Sequence, residues 1–82
     1  MKLSELSLGQ MAIIREIHTQ DISPSTIERL GEMGFAVGSR VTALHTAIGG
    51  DPMAYEVRGG MVALRKTEAD CVEVVLVTGE KK

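Results

Sequence analysis

The segment Ser23-Pro-Ser-Thr-Ile-Glu-Arg-Leu-Gly-Glu-Met-Gly34 is the one clear helix signature in this chain, and it constrains what the remaining residues can build. Ile27, Leu30 and Met33 repeat at i, i+3, i+6, which puts one apolar stripe on one face. Ser25 followed three residues later by Glu28 has the spacing of a capping box and predicts a helix over 25–33. Ser23 with Pro24 at the first helical position is an alternative start. Gly34 suits the left-handed residue that ends a helix, with Phe35 folding back onto Leu30 as in a Schellman motif. Gly31, inside the helix, costs up to about 1 kcal/mol relative to alanine, and a close approach to a strand would justify it. With one helix of this kind, the rest of the core must come from strands.

The strands are legible as short runs between turn residues. Met11-Ala-Ile-Ile-Arg-Glu-Ile17 is rich in β-branched residues and predicts a strand over 11–18. Leu3 and Leu6 before it are spaced for a helical turn that closes one end of the core. Val37-Gly38 suits the centre of a turn leading into a second strand, Arg40–His45. Gly49-Gly-Asp-Pro52 reads as a loop. Met53, Tyr55 and Val57 then alternate with polar or small residues, and Gly59-Gly60 reads as a two-residue hairpin turn into 61–65. That turn sets Val57 opposite Val62 and Tyr55 opposite Leu64, with Met53, Tyr55, Val57, Val62 and Leu64 on the inner face. Thr67-Glu-Ala-Asp70 has the form of a second, single-turn capping box, and 72–77 closes the sheet as a last strand. The expected fold class is therefore mainly β: a small five-stranded barrel with one inserted α-helix, a single domain over 1–77 and a frayed tail over 78–82.

Composition narrows the function. In 82 residues there are two aromatic side chains, Phe35 and Tyr55. The core must be aliphatic, and no ring-lined surface exists for Pro-rich peptides or for stacking nucleic-acid bases. Nine Lys and Arg against eleven Asp and Glu give a net charge of −2 with the signs interspersed, so there is no basic stripe for a phosphate backbone. The single cysteine, Cys71, forms no internal disulfide and suits a reducing compartment. No apolar run approaches the roughly 18 residues of a membrane span, and the start of the chain carries no export signal. A chain that begins at Met1 and ends in a polar tail reads as a free-standing protein.

No catalytic constellation or phosphate loop is present, so an enzyme is not expected, nor a bound cofactor. His18, His45 and Cys71 are of metal-ligand type, with Glu32, Asp51 and Glu56 as oxygen donors, but none of them cluster in sequence. Any metal site would need ligands converging from separate strands. Protein–protein interaction remains. The candidate contact residues are the outward helix face at Glu28, Arg29 and Glu32, or the loop and hairpin at Asp51, Met53 and Arg58. Met53 and Met61 flank the hairpin and are read as core gap-fillers.

Several fragments in order carry a family resemblance: Leu6-Ser-Leu-Gly9 before an Ile-rich strand, Arg29-Leu-Gly-Glu-Met-Gly34, Gly38-Ser-Arg-Val41, Gly50-Asp-Pro52, the strand 53–58 and Ala63-Leu-Arg65. Over about residues 3–77 the chain resembles the ferrous iron transport protein A family, FeoA. It departs at Val37, where the family usually has proline. The resemblance implies an SH3-like barrel acting in the cytoplasm as an accessory to FeoB, the ferrous iron permease with a GTP-binding domain, and without catalytic residues. It also puts Leu30, Gly34, Gly38, Asp51, Pro52, Leu64 and Arg65 at family motif positions, most of which serve the fold on the reading above. A related domain ends iron-dependent repressors, but this chain lacks their helix-turn-helix.

The expected function is thus a cytoplasmic accessory of ferrous iron uptake. It would bind the cytosolic part of FeoB, be recruited by it to the inner face of the membrane, and modulate its assembly or activity. The alternative is an Fe(II)-binding sensor or delivery module using His18, His45 or Cys71. An unpaired strand edge would also give the domain a route to a homo-oligomer.

Overall fold

Five antiparallel strands form the body of the computed structural model, which describes residues 1–77. The tail expected over 78–82 lies outside the described residues. In chain order the strands are β1 (Met11–Ile17), β2 (Arg40–Thr46), β3 (Met53–Val57), β4 (Gly60–Leu64) and β5 (Val72–Leu76). They are arranged β4-β3-β2-β1-β5. Helix α1 (Pro24–Glu32) lies between β1 and β2, and the one-turn helix α2 (Lys66–Ala69) between β4 and β5. Two single 3-10 turns, Leu3–Glu5 and Thr19–Asp21, complete the elements.

The sheet curls because its two long strands are bulged. On β1, Ile14 pairs with Val74 and Glu16 with Glu73, which leaves Arg15 as an extra residue. On β2, Ala43 pairs with Tyr55 and His45 with Ala54, which leaves Leu44 extra. Each unpaired residue bends its strand and increases the local right-handed twist. The concave face gathers Ala12, Ile14, Val41, Ala43, Tyr55, Val57, Val62, Leu64, Val72 and Val74. Leu3 and Leu6, Leu30 and Phe35, and Ala69 close the core from the flanking turns and helices. Apart from Phe35 and Tyr55 this core is aliphatic, as the composition requires. The Met1–Lys2 segment lies along β5, with Lys2 bridged to Glu73 and the Val74 N–H donating to Met1 O at 2.8 Å.

Several local expectations need correction. Helix α1 begins at Pro24 with Ser23 as its cap, Ser23 Oγ accepting the Thr26 N–H at 3.3 Å. Ser25 is inside the helix, because Pro24 fixes the first helical φ and needs no donor there, so the alternative start holds and the cap falls two residues before the one the Ser25/Glu28 spacing suggests. Gly31 makes no close approach, since a Cβ built there meets nothing within 4 Å. Arg65, not Thr67, is the residue before α2, and the Glu68 carboxylate accepts the Arg65 N–H at 2.9 Å.

The β3–β4 register also differs. Val57 pairs with Gly60, Tyr55 with Val62 and Met53 with Leu64, two positions from the expected pairing. The central turn residues are Arg58 at φ 49° and Gly59 at φ 82°, so a non-glycine residue takes the left-handed position that Gly59-Gly60 was expected to supply. A slip of two leaves every side chain on its original face, so the inner face is as expected. Met53 is half-buried against the core, whereas Met61, opposite Glu56, is 54% exposed on the outer face and fills no gap.

Candidate functional site

At the Met53 end of β3, the loop from β2 folds on itself through two backbone bonds. Gly50 N–H donates to Ala47 O at 2.9 Å, and Ala47 N–H to Pro52 O at 2.9 Å. The loop presents Asp51 to the start of α2, where Oδ1 accepts the Lys66 N–H at 2.9 Å. The first N–H groups of a helix have no intrahelical partner, so Asp51 supplies an acceptor from a distant part of the chain. On the facing wall the Ser4 hydroxyl donates to Asp70 Oδ1, and Lys66 Nζ lies 3.4 Å from Asp70 Oδ2. The Ser4 hydrogen bond, then the Lys66 charge, hold the Asp70 carboxyl below the usual carboxylate range.

Between these walls is a cavity of about 140 Å³ lined by Ser4, Gly50, Asp51, Met53, Tyr55, Leu64 and Lys66. Tyr55 belongs to the core by burial, with 1% of its surface exposed. Its hydroxyl reaches the Leu3 carbonyl only at 3.5 Å, against roughly 2.7–2.8 Å for an ordinary O–H···O bond. Among the described residues no hydrogen bond is donated to the phenolic oxygen. Burial, followed by the charges of Asp70 and Asp51, pushes the phenol up to about 12. The hydroxyl is therefore neutral at physiological pH and retains capacity to accept. Met53 and Leu64 supply an apolar wall, so the site offers apolar surface beside oxygen acceptors.

The other end of β3 is finished differently. Gly34, at φ 84°, ends α1. Its N–H donates to Gly31 O at 3.1 Å and the Phe35 N–H to Leu30 O at 2.9 Å, the bond pair of a Schellman motif, and Phe35 is buried on Leu30 within the core. The Arg58 side chain lies across Gly34 so closely that a Cβ there would overlap Arg58 Cδ. Arg58 thus brings its cation to the helix C-terminus, the favourable end for a positive charge.

The expected contact residues are accordingly divided. Glu28, Arg29 and Glu32 are exposed on α1, and Arg58 packs beside the end of that helix. Asp51 and Met53 lie at the opposite end of β3, on the cavity. The metal-ligand candidates divide too. His18 and Cys71 are neighbours through the backbone, His18 N–H donating to Cys71 O at 2.8 Å. The imidazole turns to Glu73 at 3.6 Å and Glu16 at 3.9 Å, while Cys71 Sγ points to Thr67 O at 3.4 Å and burial pushes its thiol up. His45 is exposed on β2, at the other end of the β1–β2 ladder. Among the described residues no group of three His, Cys, Asp or Glu is placed to hold a metal ion.

Sequence reasoning missed Ser4, Lys66 and Asp70 as parts of a site. The i, i+4 spacing of Lys66 and Asp70 is visible in the sequence, but the pairing of either with Asp51 or Ser4 is made only by the fold.

Comparison with known proteins follows the fold closely. The family model described as FeoA domain matches residues 1–76. The Fe(2+) transport protein A/Fe(2+) transporter FeoB fusion protein of Porphyromonas gingivalis (strain ATCC BAA-308 / W83) is 33% identical over 78 residues, 95% of this chain but 9% of that much longer protein. The solution structure of the FeoA protein from Chlorobium tepidum superposes with a TM-score of 0.85 at 30% identity, covering 99% of this chain and 74% of that one. The zinc-complexed FeoA of Stenotrophomonas maltophilia gives 0.75 at 33% identity, covering 90% of this chain and 88% of that one. That protein is described as a procaryotic SH3 domain protein and put forward as a bacterial ferrous iron transport activating factor. The curled five-stranded sheet with its inserted helix is the same SH3-like architecture.

Proposed function

This chain belongs to the FeoA domain family, and on that premise we propose that it acts in ferrous iron uptake by binding the cytosolic part of FeoB and modulating its assembly or activity. The observation that carries the reading is the Porphyromonas gingivalis protein, in which a domain like this one and the FeoB transporter are parts of one chain. Covalent linkage raises effective concentration, commonly into the millimolar range for short flexible linkers, and so favours a pair of domains that work in contact. Among the described residues no helix is long and apolar enough to cross a membrane. On this reading the domain acts from the cytoplasm and is recruited to the inner face of the membrane through its partner. It works by binding, without chemistry of its own. Two faces can make the contact: α1 at Glu28, Arg29 and Glu32 with Arg58 beside it, or the cavity end at Asp51 and Met53.

The test is retention of FeoB from detergent-solubilised membranes on the immobilised chain, together with iron uptake in a deletion strain. Co-retention and impaired uptake are expected; normal uptake with no association sinks the reading. Arg29→Glu reads the helix face and Asp51→Lys the cavity face, and the variant that loses FeoB while keeping its thermal transition identifies the surface.

A further inference from the structure

The cavity at the Met53 end of β3 has more polar capacity than the chain itself uses. Asp51 commits Oδ1 to the Lys66 N–H, and among the described residues Oδ2 makes no hydrogen bond. The Tyr55 hydroxyl is buried with one long contact, 3.5 Å to Leu3 O. A buried polar group left in that state costs free energy that a suitable donor recovers. Both groups line the same cavity as the apolar side chains of Met53 and Leu64. The nearest cation of the chain does not serve them, since Lys66 has a side chain 70% exposed with its Nζ on Asp70 Oδ2 at 3.4 Å.

We propose that this cavity seats a lysine side chain of the protein partner, with the ammonium donating to Asp51 Oδ2 and the Tyr55 hydroxyl and the methylene stem lying on Met53 and Leu64. The inference rests on the reading that the chain acts by binding a partner. Charge selects the occupant. An acidic side chain or a phosphate would face the Asp51 carboxylate, while Lys66, the cation in the lining, is turned to Asp70, and a purely apolar side chain would remove water from Asp51 and Tyr55 without replacing its hydrogen bonds. Arginine fits less well, because its planar fork is best matched by both oxygens of one carboxylate. Asp51 has one oxygen in use, and Asp70 has both, on Ser4 and Lys66. The three rotatable donors of an ammonium match acceptors dispersed on separate side chains. A lysine stem also covers apolar surface while its head reaches polar groups.

Methyl resonances of Met53 and Leu64 provide the readout, titrated with the Nα-acetyl methylamides of lysine, norleucine and arginine. Saturable shifts with the lysine probe, absent with norleucine and lost in Asp51→Asn, are expected. Asparagine keeps the acceptor for the Lys66 N–H, so this variant retains the loop. Equal shifts with norleucine, tighter binding of the arginine probe, or no shift with any probe overturns the proposal. In the second arm, binding of the cytosolic domain of FeoB should weaken roughly tenfold to a hundredfold in Asp51→Asn and, because an ammonium donor makes that bond charge-assisted too, at least about tenfold in Tyr55→Phe. If FeoB binds all variants equally, the cavity proposal fails while the partner reading stands. If FeoB binds none, including the unmodified chain, the partner reading fails and the methyl titration decides the cavity by itself.

Discussion

At the Val57 end of β3 the chain closes on the C-terminus of α1, where Gly34 and Phe35 donate to Gly31 and Leu30 carbonyls and the Phe35 ring is 2% exposed. At the Met53 end it opens on a cavity whose buried phenol has only a distant acceptor. The same strand therefore joins an end in which apolar packing and backbone bonds are completed within the chain to one in which polar groups are left over. A domain of this length has a core worth only a few kcal/mol net, so it cannot leave both ends unfinished. Both ends contribute buried side chains to the core, but polar groups are completed at one end and left over at the other.

The contrast breaks most readily at the closed end. Phe35→Ala should cost about 3–5 kcal/mol, enough to unfold much of the population, and Phe35→Leu should give a graded loss near about 1 kcal/mol. Urea denaturation measures both, and a loss below roughly 1 kcal/mol for the alanine variant would mean that this end is no better packed than the other.

The open end is sharpened by alkaline pH. The Tyr55 phenol is pushed up to about 12 in the folded chain, whereas an unfolded tyrosine titrates near ~10. Between those values the unfolded chain releases a proton that the folded chain keeps, so stability falls as pH rises through that window, by roughly 2–3 kcal/mol in all. Tyr55→Phe should remove this part of the dependence. Equal slopes of urea midpoint against pH for the two proteins would mean that the cavity already gives the phenol free access to water.

The smallest effect concerns Gly31, on the closed end but facing open space. Gly31→Ala should stabilise by up to about 1 kcal/mol through helix propensity alone. A loss in its thermal transition would reveal a contact against that face of α1 and extend the closed end around the helix.

These two ends were unequally legible in the sequence. The helical part of the closed end lies within thirteen residues, Ser23 to Phe35, and its terminator, its lid and its apolar stripe all follow from local rules. Even there the start was ambiguous, because two serines offer caps and only the proline decides between them. The β3–β4 turn lies one residue earlier, and the pairing two positions away, because Arg58 adopts a left-handed conformation that glycine ordinarily takes, with its side chain laid over Gly34 from a different part of the chain. Inner-face residues survived that slip because side-chain alternation has period two. The cavity was not legible. It joins Ser4 to Asp51, Tyr55 and Lys66 across the curled sheet; Asp51 stands opposite Lys66 only in the observed β3–β4 register, two positions from the expected one, and the bulges that curl the sheet leave no composition signal.

The chain contains one tyrosine and no tryptophan, and that tyrosine is the wall of the cavity. Its absorption and intrinsic fluorescence at wavelengths beyond the phenylalanine band therefore come from a single ring at a single place. Optical spectra of this protein in dilute solution, without any attached dye, report on the occupancy and hydration of that one site.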